Sequence, residues 1–469
     1  MTARHRRSGL LLTTVVFLLA VPPVGIASCG SATLKTSDGA AGSGGGAAGN
    51  GGAAGTGALG GVGGAGAAAG EAGTKMPRDA AADSASPRDG SGEKADGCPA
   101  TCPAPTSGPT TGTGVCVNDA CSLACASKYP SLCSSSSSCV DTTSDGKNCG
   151  ACGHDCLGGA CLAGQCQPVE LAQYTGNLQT IAVGAQYVYA TTDLGYIGRA
   201  NKDGSDLQPF AMPGFVSSTL PGTLVAEDGD RAFFVWYGNS PQLVYCSTTG
   251  CDASITPIGN PYDQYFAVDQ VDHKVFWIDY MPTTQLWSAP STGTVTGSPL
   301  PGSSLPSGSN GSRLFYSQGG IFFTAGSSLM RISVSGGSFT TPTTASTSLT
   351  ILGANDSNLF LYDGTSIVYT PLPNGTGGPP AKLLTVGIST GTDGGFDADD
   401  NSVYWVTNTG GAETCQIGNC AASQKALPTR SVDIVQDVKI DSQSVYWGAG
   451  SPNTSSSGNT ACTVWKLAK

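Results

Sequence analysis

The chain predicts an all-β fold. Residues 169–469 read as a seven-bladed β-propeller, with six blades as second choice, preceded by a small disulfide-rich module and a disordered tether. Three observations carry this. From Val169 onward, short strand-like runs alternate with Gly/Asn/Ser/Pro turns and no stretch has helical periodicity. One unit recurs there: an apolar run, an Asp/Asn turn, then an apolar-aromatic pair. Aligned on Tyr189, Phe233, Phe276, Phe322, Phe360, Tyr404 and Tyr446, the unit repeats every 38 to 46 residues, the length of one four-stranded blade.

Residues 1–28 read as a secretory signal. Arg4, Arg6 and Arg7 precede the apolar run Leu10–Val21, which is short for a membrane span. The run ends in Ile26-Ala27-Ser28-Cys29, which resembles the lipobox of bacterial lipoproteins. That resemblance implies a lipidated Cys29 and an acyl anchor that does not cross the bilayer. Ordinary cleavage near Ala27 would instead leave Cys29 a plain thiol. Residues 29–97, rich in Gly and Ala, have little to bury and high backbone entropy, so they are expected to stay disordered. As a coil they would reach roughly 45 Å.

Residues 98–168 form the Cys-rich module. Twelve of the 18 cysteines fall here, the density of a scaffold that replaces a core with cross-links, and it places the chain in an oxidising compartment. Cys149, Cys152, Cys156, Cys161 and Cys166 are disulfide candidates. A zinc site using Cys149, Cys152 and His154 or Cys156 is the competing reading.

In the array, an apolar-aromatic pair between glycine turns reads as packing between neighbouring sheets. The last unit ends at its third strand, "CTVWKLAK", so residues 169–174 are expected to supply its outer strand and close the ring. In the fourth unit Phe315 competes with Phe322 for the aligned position. Cys246/Cys251 and Cys415/Cys420 each suit a disulfide at a hairpin turn, and Cys462 is left over. These units resemble the YWTD repeats of low-density lipoprotein receptor-type propellers and related bacterial surface propellers. Arg199–Ser205 matches the hairpin that ends such repeats. Ala267-Val268-Asp269 and Val275-Phe276-Trp277 match their first two strands. The resemblance implies a binding platform, although YWTD propellers usually have six blades and seven units are present here.

Chemistry is sparse. The three histidines, His5, His154 and His273, leave only His273 for a Ser-His-Asp arrangement in the array, and they exclude a multi-histidine metal site. No phosphate-binding glycine loop appears. Asp397, Asp399 and Asp400 cluster at the start of one blade and could form a calcium site, the one cofactor chemistry the residues would support; a solvated Asp turn is the alternative. Loops after the second strands would share one rim, bringing Trp236, Tyr237, Asp279, Tyr280, Tyr362 and Asp363 forward as candidates for a glycan or a cationic peptide. The net charge of −11 repels phosphate backbones, so nucleic acid is not an expected partner. The expected protein is therefore a non-catalytic lipoprotein of the outer membrane or cell surface. Its propeller would bind an envelope protein or glycan; a carboxylate-metal lactonase or lyase is the alternative.

Overall fold

The computed structural model describes Cys102 and residues 112–469, except 118–119, 134–137, 195, 212–224, 238–239, 252–254, 280–283, 294–295, 307–308, 310–312, 373–378, 389–394, 430–433 and 451–460. The expected signal peptide, Cys29 and the tether lie outside the described residues. Among the described residues no helix is long and apolar enough to cross a membrane.

Seven antiparallel four-stranded sheets follow one another along the chain. Blade 1 is Leu178–Val183, Tyr187–Thr192, Ile197–Asn201 and Gln208–Ala211; blade 2 is Val225–Asp228, Arg231–Tyr237, Pro241–Ser247 and Thr256–Gly259. Blade 3 is Pro261–Asp269, Lys274–Asp279, Gln285–Pro290 and Ser298–Ser304; blade 4 is Phe315–Ser317, Gly320–Ala325, Ser328–Ser333 and Thr340–Thr344. Blade 5 is Thr350–Ala354, Asn358–Tyr362, Ser366–Pro371 and Ala381–Thr385; blade 6 is Phe396–Ala398, Ser402–Val406, Ala412–Gln416 and Lys425–Ala426. Blade 7 takes Ile434–Ile440, Ser444–Gly450 and Ala461–Ala468 from the end of the array and Val169–Thr175 from its start, with Cys462 opposite Tyr174. First strands of successive blades neighbour one another in a closed cycle, so they surround the axis. A ring closed this way leaves no sheet edge between its first and last blades.

The apolar-aromatic pair has a geometric cause. Successive strand residues point to opposite faces, and both faces of a blade are covered by a neighbour. Phe276 packs toward blade 4 with Ile321 and Phe323, while Trp277 packs toward blade 2 with Phe233 and Val235. Tyr404 and Trp405 divide in the same way between blades 7 and 5, and Tyr446 and Trp447 between blades 1 and 6. All seven aligned aromatics are buried. Each contributes about 1.5–3 kcal/mol by area removed from water. In blade 4 the aligned residue is Phe322 on the second strand, with Phe315 opposite it on the first.

Antiparallel connection places the first-to-second and third-to-fourth turns on one rim, called here the near rim, and the second-to-third turns on the far rim. One backbone bond recurs in every blade along the near rim. The residue after the third strand donates its N–H to a carbonyl of the first turn: Lys202 to Gln186, Thr248 to Asp230, Ser291 to His273, Val334 to Gly319, Leu372 to Ser357, Ile417 to Asn401 and Lys469 to Gln443.

In the Cys-rich region, the described bridges are Cys102–Cys121, Cys125–Cys139, Cys133–Cys152, Cys149–Cys161 and Cys156–Cys166. The cysteines weighed for zinc are thus all oxidised. The module packs on the end of blade 7: Cys149, Cys156 and Cys166 bury against Ala468, with Leu157 and Leu467 alongside. His154 faces the Cys149 carbonyl through Nδ1 and the Lys469 carbonyl through Nε2, each at 2.6 Å.

Candidate functional site: a three-blade cavity on the near rim

The Asp/Asn turn of the repeat has two functions, one per side-chain oxygen. The first caps its own turn. Oδ1 of Asp269, Asn355, Asp399 and Asp441 accepts backbone N–H groups two and three residues ahead, at 2.7–3.0 Å. The second atom reaches the next blade. Asp441 Oδ2 pairs with Lys202 Nζ of blade 1 at 2.8 Å, and Asp399 Oδ2 with Lys469 Nζ of blade 7 at 2.7 Å. Asn355 Nδ2 donates to the Asp399 carbonyl of blade 6. Burial alone would raise Asp399 and Asp441, but the lysines and the turn N–H groups hold both below the usual carboxylate range.

Deeper in the ring, Asp437 closes the seam between blades 7 and 1. Its Oδ2 accepts from Thr180 Oγ1 at 2.6 Å and Ile181 N at 2.9 Å; its Oδ1 accepts from Val438 N and Lys439 Nζ. Asp397 does the same between blades 6 and 7, accepting from Ala398 N and Ile440 N. Glu227 reaches back from blade 2 to Ala185 N and the Tyr189 hydroxyl, both at 2.6 Å.

A cavity of about 410 Å³ opens on the near rim between blades 4, 5 and 6. It is lined by the same stretch of three successive blades: Phe315, Tyr316 and Ser317; Ala354, Asn355 and Asp356; Ala398, Asp399 and Asp400. The residues that make it are the first strand ends and first turns, brought side by side because those strands encircle the axis. Asp356 and Asp400 are exposed, and their carboxylates hold no hydrogen bond or ion pair with any described residue. Asp399, by contrast, is neutralised by Lys469, whose carbonyl faces His154 of the Cys-rich module. Asp269 is fully buried, and its carboxylate meets the Tyr316 hydroxyl. Its Oδ2 makes no hydrogen bond of normal geometry. Burial, and after it the Asp269 carboxylate, push the Tyr316 hydroxyl up.

The sequence candidates distribute as follows. Asp399 and Asp400 line the cavity. Asp397 sits half-buried at the seam, raised by burial despite Lys439. The oxygens of the three do not converge within 4.8 Å; among the described residues only Cys149, Cys156 and Cys166 offer such a group, and all three are in disulfides. Trp236, Asp279, Tyr362 and Asp363 lie at the opposite, far rim. Trp236 packs against the blade 1–2 core and Tyr362 against the blade 5–6 core. The Tyr362 hydroxyl donates to the Gly364 carbonyl, and Asp363 Oδ1 caps its turn through Thr365 N and Ser366 N. Asp279 is buried. Tyr237 ends a strand; its side chain, and all of Tyr280, lie outside the described residues. Cys246–Cys251 and Cys415–Cys420 are disulfides that tie third-strand ends to the following turn, and Cys462 is a buried free thiol. Asp356, Tyr316 and Asn355 were not singled out by sequence, although Asn355 and Asp356 occupy the repeat's own Asp/Asn-turn position.

His273 does meet an aspartate and a serine, across the blade 2–3 junction. Its Nδ1 lies 2.9 Å from Asp228 Oδ1, and Ser291 Oγ donates to Asp228 Oδ2. The connectivity is wrong for nucleophilic catalysis. A serine is activated by giving its proton to the imidazole, whereas here it gives it to the carboxylate. Ser291 is also fully buried. The cluster joins blades, as does Arg231, which donates to the Ser291 and Gly293 carbonyls at 2.8 and 3.0 Å.

No protein-family model matches the chain, and no curated protein matches it. Solved structures do. YCF48 bound to D1 peptide is 13% identical with a TM-score of 0.45, over 65% of this chain and 96% of that one. YCF48 from Cyanidioschyzon merolae is 13% identical with a TM-score of 0.44, over 64% and 98%. The computationally designed Ika8 protein is 13% identical with a TM-score of 0.39, over 63% and 98%. Sequences this far apart need not share a binding site.

Proposed function

We propose that the chain is an exported lipoprotein of the bacterial cell envelope, anchored through Cys29, whose propeller is a non-catalytic binding platform for an envelope protein or glycan. The observation that carries the platform reading is the near-rim cavity. Three blades contribute equivalent residues to one concave site, with two exposed carboxylates that hold no hydrogen bond or ion pair with any described residue, and no activated nucleophile among the described residues beside them. The Ser291–Asp228–His273 cluster, in which the serine donates to the carboxylate and not to the imidazole, supports binding over catalysis. The basic start, the apolar run and the Ile26–Cys29 lipobox support the anchor, and residues 29–97 would let the platform range away from the membrane surface.

Two measurements test this. Mass spectrometry of the mature N-terminus is expected to find diacylated Cys29; an unmodified residue there would remove the anchor. The full chain is expected to retain a component of envelope extracts, and Ser317→Trp, which fills the cavity, is expected to release it. Retention unchanged in a folded Ser317→Trp chain would move the site elsewhere.

A further inference from the structure

We infer that His154 is a pH-operated latch between the Cys-rich module and the propeller: with a proton on each ring nitrogen it ties the module to Lys469 at the end of blade 7, and loss of the Nε2 proton releases that tie. The half-buried ring stands between two main-chain oxygens, that of Cys149 at 2.6 Å from Nδ1 and that of Lys469 at 2.6 Å from Nε2. Both oxygens can only accept. A neutral imidazole carries one N–H and one lone pair, so in either tautomer one of these contacts would set lone pair against lone pair. The imidazolium donates to both, and its charge suits contacts this short. Release falls on the Lys469 side. Cys149 and His154 close one tight turn, in which Cys149 N–H donates to the His154 carbonyl at 2.9 Å and Gly153 N–H to Asn148 Oδ1 at 2.8 Å. The bridges Cys133–Cys152, Cys149–Cys161 and Cys156–Cys166 fix that turn on both sides of His154. The Cys149 oxygen therefore cannot draw away from Nδ1, and a neutral ring keeps its proton there. The Lys469 oxygen, across the interface, is left facing a bare Nε2.

The charged groups around the ring are already committed. Asp155, next in the chain, pairs with Lys147 at 2.6 Å and accepts from Leu157 N, and these hold it below the usual carboxylate range. Lys466, on the strand that meets the module, feels Asp155 and Asp441 and is lowered by burial. Lys469 Nζ is held by Asp399 at 2.7 Å over the Tyr404 ring, and burial pushes the Tyr404 hydroxyl up to about 12. The apolar contact beside the latch is one cluster, with Cys149, Cys156 and Cys166 on Ala468. An ordinary imidazole changes charge between about pH 5 and 8, whereas ordinary or depressed carboxylates are ionised across that range. The docked ring holds a proton that the released ring gives back, so docking strengthens as pH falls and weakens as pH rises. Because the same Lys469 neutralises Asp399, the latch ends at the wall of the cavity.

The test is hydrogen exchange on the exported full chain at about pH 5.5 and about pH 8, normalised for intrinsic exchange, alongside ring-nitrogen NMR of His154. On raising the pH, protection across Ala461–Lys469 and Cys156–Cys166 is expected to fall about tenfold, the factor for one hydrogen bond to a charged group. Lys274–Asp279 in blade 3 is expected to keep its protection. The ring signals are expected to pass from two N–H groups to Nδ1–H alone. His154→Gln cannot gain a charge, and is expected to lose the pH dependence and to exchange at the lower pH as the parent chain does at the higher; mapping its bridges by mass spectrometry checks that the module has formed. His273→Gln, in the blade 2–3 junction, is expected to keep the dependence. Protection equal at the two pH values, or a ring that keeps its Nε2 proton at the higher one, would overturn the assignment in the parent chain itself. A pH dependence that survives His154→Gln would overturn it too, and would pass the effect to Lys466.

Discussion

Removing Asp437 should open the seam of the ring. The side chain is 1% exposed and joins the last blade to the first through Thr180 and Ile181, while its other oxygen holds Val438 N and the Lys439 ammonium. Asp437→Ala leaves two buried N–H groups, a hydroxyl and a largely buried ammonium without this acceptor. Breaking a buried, hydrogen-bonded ion pair from one side costs about 3–5 kcal/mol. An array of this size has an unfolding entropy of roughly 0.6 kcal/mol/K, so the melting temperature should fall by about 5–8 °C. Asp437→Asn keeps the shape and one acceptor oxygen but turns an amide N–H toward donors, and should cost about half as much. The assay is thermal denaturation followed by circular dichroism, with Asp363→Ala at a far-rim turn as control. Hydrogen exchange should show the strand Val169–Thr175 losing protection first, since it is held to the ring through Ala461–Ala468. An Asp437→Ala penalty below about 1 kcal/mol, or no larger than that of Asp363→Ala, would refute the argument that buried polar staples hold the seam.

Three further outcomes follow from the same coordinates. The carboxylates of Asp399 and Asp441 are depressed below 3.8 in the folded protein, so their contribution is present above the unfolded value and is lost as pH falls through the depressed folded values. The melting-temperature penalty of Asp441→Asn should therefore be constant at neutral pH and shrink below about pH 4, and a penalty that grows on acidification would contradict the sign. The Cys462 thiol, pushed up to about 12 by burial, should resist alkylation at neutral pH in the native chain and react after unfolding without reductant, as read by peptide mass spectrometry. Gly448 lies against Leu178 and Ile181 across the seam, where a Cβ has no space, so Gly448→Ala should cost about 1–3 kcal/mol in chemical denaturation.

The propeller was legible because its periodic signal is a packing signal. An aromatic beside an apolar residue on the second strand is required wherever both faces of a sheet are buried, and that requirement recurs in every blade. The closing strand could be found because the last unit stopped one strand short. The site was legible only in part. Asp399 and Asp400 drew attention as adjacent acids, but Asp356 sits alone in "GANDSN", and its relation to Asp400 exists only once blades 5 and 6 stand side by side. Trp236 and Tyr362 drew attention as aromatics near turns, and their rings lie largely in the blade junctions. Asp228, Ser291 and His273 are far apart in sequence and meet only through the 2–3 junction. That His273 lacks a serine partner in the catalytic sense is a matter of which atom receives a proton, which no spacing reports.

One turn position therefore divides into structural and available forms, and the neighbour decides which. In blades 3, 5, 6 and 7 its first oxygen caps the turn, because two backbone N–H groups at that bend need an acceptor. What the second atom does depends on the residue that follows the third strand of the next blade. That residue is Lys202 or Lys469 on the two sides of blade 7, the blade assembled from both ends of the array, where an ion pair adds strength to the seam. Between blades 3 and 4 it is Val334, between 4 and 5 Leu372, and between 5 and 6 Ile417, none of which can neutralise an acid. Asp269, the turn acid facing Val334, makes no ion pair with any described residue for this reason, and the cavity lies in the same sector. Placing a lysine at position 417, opposite the Asn355–Asp356 turn, should then raise stability by about 0.5–1 kcal/mol through a rim ion pair, as read by thermal denaturation. A melting temperature unchanged or lowered by that lysine would show that the residue after the third strand is not what sets the second atom's partner.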